Sequence, residues 1–83
     1  MAIDYRPLPT VTAREIAQAL LRDGFVLRRQ RGSHQRYQHA DGRRVTVTFH
    51  ASSDTFPIGT LRNLVEQQAR WTMDDLRRLG LIP

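Results

Sequence analysis

"RGSHQRYQHADGRRVTVTFH", residues 31–50, is the stretch whose reading decides the fold. Its last part alternates, with Val45, Val47 and Phe49 on one parity and Arg44, Thr46, Thr48 and His50 on the other. A period of two is the mark of a strand that buries one face and solvates the other. Gly32 and Gly42 punctuate the stretch, so two hairpin turns are expected. The loop lengths carry the decision, because a slip of one residue moves every side chain to the opposite face.

At the second turn, "HADGR", a two-residue Asp41-Gly42 loop would put His34 and Arg36 on the face of Val47 and Phe49. A three-residue loop, Ala40-Asp41-Gly42 with a left-handed glycine, instead pairs Tyr37 with Val45, Gln35 with Val47 and His34 with Thr48. The longer loop satisfies the hydrophobic pattern and is preferred. The first turn, "QRG", has glycine in the same third place and, read the same way, pairs Phe25 with Tyr37, Leu27 with Gln35 and Arg28 with His34. One face then gathers Phe25, Leu27, Tyr37, Val45, Val47 and Phe49 as a core. The other gathers Arg28, His34, Arg36, Arg44, Thr46 and Thr48 as a candidate site. Gln35 falls on the apolar face and needs a partner there.

Outward from the strands, helix signals stand on both sides. Thr12 and Glu15 have capping-box spacing, with Val11 and Ile16 at the staple positions, and Ile16, Ala17, Leu20 and Leu21 follow at helical spacing. Gly24 supplies the stop, so a helix is expected over Ala13–Asp23. After the strands, "PIGTLRNLVEQQA" places Ile58, Leu61, Leu64 and Val65 on one stripe behind Pro57. Thr72 and Asp75, between Trp71 and Leu76, announce a last short helix that Gly80 ends. Residues 1–11, with Pro7 and Pro9, read as an irregular N-terminal arm, and 12–83 as a single domain. The order is α-β-β-β-α plus a short C-terminal helix. The fold class is α+β, a three-stranded antiparallel sheet with helices on one face.

Composition narrows the chemistry. A chain of 83 residues buries only about 60–65% of its unfolded surface, which leaves little material for a deep pocket. There is no cysteine, hence no disulfide framework and no thiol chemistry. No signal-peptide pattern and no membrane-length apolar run is present, so a cytoplasmic location without membrane association is expected. The formal charge is +5, and all 13 basic residues are arginine. Guanidinium forks grip phosphate bidentately, so an acidic partner is expected, either nucleic acid or an acidic protein.

His34 is the histidine that this register sets among arginines. A neutral imidazole beside guanidinium groups suits ribonucleolytic transesterification: the ring takes the 2′-OH proton and the arginines hold the charge developing on phosphorus. A lone strand histidine is also compatible with an ordinary surface residue, and the spacing by itself does not separate the two. His39 and His50 are at strand ends and do not converge with His34, so no metal site and no cofactor is expected. Gly59 and Thr60 open a helix whose free N–H groups can take a phosphate, or simply start a helix.

The segments "LLRDGFVLRRQRGSHQRYQH", "VTVTFH" and "FPIGTLRNLVEQ" together resemble the HicA family of bacterial toxins over roughly residues 12–80. The resemblance implies a fold like the double-stranded RNA-binding domain and an mRNA-cleaving endoribonuclease that inhibits translation without a metal. It implies a toxin, monomeric when free, that a HicB-like antitoxin protein holds inactive. The family's catalytic histidine corresponds to His34, acting as general acid or base, with Gly32 and Ser33 as supports of the same motif. Arg28, Arg36, Arg44, Gly59 and Thr60 are the RNA-binding candidates. Many members carry a second histidine where this chain has Gln35, and Tyr37 replaces a usual phenylalanine. Two other classes remain to be distinguished: a non-catalytic double-stranded RNA-binding module, and a protein-interaction domain whose basic face meets an acidic partner.

Overall fold

Thr12 starts the first helix as expected. Its hydroxyl accepts from the Glu15 N–H at 3.2 Å, and its own N–H donates to the Glu15 carboxylate at 3.1 Å. The computed structural model describes residues 3–83. Helix α1 runs Ala13–Arg22, and Gly24 follows its cap at φ +99°, a left-handed turn that glycine enters without strain. Three strands come next, β1 Val26–Arg31, β2 His34–Gln38 and β3 Arg44–Thr48, in an antiparallel sheet of order β1-β2-β3. Helix α2 covers Ile58–Arg62 and continues as a π-helical stretch over Asn63–Gln68. Helix α3, Met73–Arg78, closes the order with a capping box between Thr72 and Asp75. The architecture is the expected α-β-β-β-α with a short terminal helix.

The β2–β3 hairpin has the expected register, with Tyr37 opposite Val45, Gln35 opposite Val47 and His34 opposite Thr48. The β1–β2 hairpin does not. Its loop is the two residues Gly32-Ser33, with Gly32 at φ +58°, so Arg31 stands opposite His34, where Arg28 was expected. Glycine first in a two-residue loop is the type II′ arrangement, whose twist matches that of the strands. A bulge between Leu27 and Arg29 then restores Leu27 to a place opposite Tyr37, the partner assigned to Phe25 from sequence. Phe25 precedes the strand and is buried all the same.

The core is a layer between the sheet and the helices. Tyr37, Val45 and Val47 meet Ile16, Leu20, Leu61, Leu64, Val65, Trp71, Leu76 and Leu79 there. Each large side chain so buried contributes about 1.5–3 kcal/mol relative to exposure. Leu8 and Val11 also lie in this cluster, tying residues 3–11 to the domain, while Tyr5 donates to the Glu66 carboxylate. Three residues assigned to the apolar sets turn outward: Leu21 is 55% exposed, Leu27 39% and Ile58 51%. Gln35 finds the partner it needs, since the Tyr37 hydroxyl donates to its side-chain oxygen at 2.8 Å.

The π-helical stretch has a structural consequence for β3. The Ala69 N–H reaches back to the Leu64 carbonyl at 2.8 Å, a wide turn that keeps Leu64, Val65 and Ala69 in the core. Gln68 then lies beside the outer edge of β3 and accepts the Thr46 N–H at 2.8 Å. That edge is therefore covered.

Candidate active site on the arginine-lined face

The sheet leaves one face without helices, and the register fixes what stands on it. Arg31, His34 and Thr48 form one cross-strand row, Arg29, Arg36 and Thr46 the next, and Val26, Gln38 and Arg44 the third. Residues directly opposite share a face, and alternate residues along a strand share it too. His34 therefore stands at the end of an exposed field of arginine. Arg29, Arg31, His34 and Arg36 wall a shallow open cleft of about 210 Å³.

The charge on this face is uncompensated. Among the described residues, Arg28, Arg29, Arg31, Arg36 and Arg44 make no ion pair. The eight carboxylates are engaged elsewhere: Glu15 and Asp75 cap helices, Asp54 accepts from the His50 and Ala51 N–H groups, and Asp4, Asp41, Glu66 and Asp74 pair with nearby arginines. Asp23 is the most enclosed of them, with its side chain only 5% exposed. It accepts from Arg43 at 3.0 Å, from the Trp71 indole at 2.9 Å and from Arg78. Burial opposes its ionisation, but the bonds from Arg78 and Trp71 and the charges of Arg43 and Arg78 prevail and hold its carboxyl below the ordinary aspartate range. Folding thus collects the negative charge behind and around the sheet and leaves the open face positive.

The sequence-derived candidates divide on this geometry. His34 and Arg36 share the cleft, as expected. Arg28 is not across from His34 but stands at the bulge, where it lines a neighbouring cleft with Arg29, Arg36 and Arg44. Gly32 and Ser33 form the turn itself, and the Ser33 carbonyl accepts the Phe49 N–H at 3.0 Å, extending the ladder past His34. Gly59 and Thr60 are exposed at the start of α2 and wall neither cleft. Arg29 and Arg31 were missed, because their place beside His34 follows from the loop length and the bulge.

The other histidines have different surroundings. His39 is set by two backbone bonds, 2.8 Å from its Nε2 to the Asp23 carbonyl and 3.0 Å from the Asp41 N–H to its Nδ1. A carbonyl only accepts and an N–H only donates, so the ring carries its proton on Nε2 and pins α1 to the β2–β3 turn. His50 lies beyond the end of β3, in a small depression with Gly32, Ser33 and Phe49. Among the described residues no cluster of three or more His, Asp or Glu side chains is placed to share a metal ion.

The model of the family described as the HicA toxin of bacterial toxin-antitoxin systems matches residues 13–71, from the start of α1 to Trp71. The chain belongs to the HicA toxin family. The match contains all three strands and His34 and stops just before α3. A search of curated proteins found no match. As a HicA-family member, the chain is the toxin of a toxin–antitoxin system and has a cognate antitoxin as its partner. No helix among the described residues is long and apolar enough to cross a membrane.

Proposed function

We propose that this HicA toxin is an endoribonuclease that cleaves mRNA in the cytoplasm, with His34 as the general base. The observation that carries the reading is that, among the described residues, this face holds one imidazole, five unpaired arginines and no carboxylate. His34 in its neutral form takes the proton of a ribose 2′-OH, and the freed oxygen attacks the adjacent phosphorus. Arg29, Arg31 and Arg36 surround the phosphate and stabilise the charge on its oxygens as the pentavalent transition state forms. The bond to the 5′ oxygen breaks, leaving a 2′,3′-cyclic phosphate and a 5′-hydroxyl. Because the cleft is open, water supplies the leaving group's proton.

The test is purified His34→Ala protein on single-stranded RNA. The rate should fall by about 10²–10⁴-fold, with thermal stability little changed because His34 is exposed. Wild-type cleavage by that variant would remove His34 from the chemistry. Tight duplex binding with no cleavage by the wild-type protein would favour a non-catalytic RNA-binding module instead.

A further inference from the structure

The open face carries a second cleft that the chemistry at His34 leaves unused. It is larger, about 460 Å³, and its charged walls are Arg28, Arg29, Arg36 and Arg44, with Gln38 between them. Arg29 and Arg36 also wall the cleft at His34, so the two hollows run into one another along β2. The bulge in β1 makes this possible. In a regular strand, neighbouring residues point to opposite faces. Here Arg28 and Arg29 are consecutive and line the same cleft beside Arg36.

We propose that this second cleft binds the phosphate next to the scissile one, so that RNA is held as a single strand over at least two consecutive phosphates. The proposal rests on the reading of His34 as the cleavage site. Steps of two residues along β2, from His34 to Arg36 to Gln38, advance about 6.6 Å each, which is the scale of one nucleotide in an extended strand. Guanidinium groups from β1, β2 and β3 converge at the second step, a bidentate donor set suited to one phosphate. The aromatic wall of the cleft, Tyr37, turns its ring into the core and is buried. Bases therefore find no aromatic platform there, and the grip is on the backbone, tolerant of sequence and sensitive to salt.

The experiment compares UpU, which has only the scissile phosphate, with UpUpUpU, and adds binding of a 2′-deoxy UpUpUpU analogue that cannot be cut. Wild-type protein should cleave the longer substrate with kcat/KM about tenfold or more above the shorter. In the double variant Arg28→Ala/Arg44→Ala that ratio should collapse toward the statistical factor set by the larger number of cleavable bonds in UpUpUpU. The slope of log binding constant against log salt for the analogue should become shallower by about 0.7, the loss of one phosphate contact. Arg28→Lys/Arg44→Lys should recover most of that slope. A ratio and slope that stay at wild-type values would overturn the proposal, as would an equal loss on UpU, which would put both arginines at the scissile phosphate. If wild-type protein cut neither substrate, the ribonuclease reading would fail. The salt slope would then decide alone whether the cleft is a phosphate site.

Discussion

Arg31 is the cross-strand neighbour of His34, one place across the two-residue turn that joins β1 to β2. Arg31 shares the cleft with His34, so in the proposed reaction its fixed charge acts on the phosphate oxygens and not on the ring. Arg31→Ala should therefore lower kcat for RNA cleavage by about 10²-fold. Arg31→Lys should restore part of it, because a point charge remains while the bidentate fork is lost. Arg14→Ala, exposed on α1, serves as the control for net charge. Equal losses from Arg31→Ala and Arg14→Ala would reduce the role of Arg31 to bulk electrostatics.

Gly32 holds that turn at φ +58°, and no atom lies within 4 Å of the position a Cβ would take. The cost of Gly32→Ala is thus conformational, about 1–2 kcal/mol, and Gly32→Asn should cost less because asparagine tolerates the left-handed region. Urea unfolding of the two variants measures the difference. If alanine were the milder substitution, the turn would not depend on that conformation.

Asp23 joins the end of α1 to the β2–β3 turn through Arg43, and to the C-terminal segment through Trp71 and Arg78. Its folded-state pKa is depressed. The stability it contributes is therefore complete above the unfolded aspartate value of about 3.9 and is lost as pH falls through the folded value. Asp23→Asn should cost about 3 kcal/mol at neutral pH, since it leaves the enclosed Arg43 without its ion pair to that carboxylate. The variant should also lose stability less steeply than wild type below about pH 4. Denaturant titrations across that range give both quantities, and parallel pH profiles would refute the linkage.

Gln68 covers the outer edge of β3 by accepting the Thr46 N–H at 2.8 Å, and its own amide donates to Asn63 at 2.7 Å. Gln68→Ala should destabilise by about 1 kcal/mol and speed hydrogen exchange at the Thr46 amide beyond that of its neighbours in β3. Unchanged protection at Thr46 would mean that water replaces Gln68 without loss. An uncovered edge also invites strand pairing between molecules, so the variant should aggregate more readily.

What the sequence determined by itself follows from strong local signals. Capping boxes at Thr12 and Thr72 set two helix starts, because a short polar side chain and an acid three residues later satisfy orphan N–H groups without outside help. The β2–β3 register was legible because Tyr37, Val45 and Val47 are buried, and burial of one face admits a single pairing. With it came the exposure of His34 and Arg36. Tertiary structure alone decided the rest. All six residues of β1 are exposed, so no hydrophobic pattern opposes a slip, and the turn length and bulge that bring Arg29 and Arg31 to His34 leave no trace in periodicity. The Asp23 contacts span 20 to 55 positions of chain, a distance over which local spacing carries no information. The outward turn of Ile58 and the covering of β3 by Gln68 depend likewise on where the second helix meets the sheet. Local chemistry specified the elements and the buried register; the turn length and bulge of an unpatterned strand specified which arginines surround the histidine.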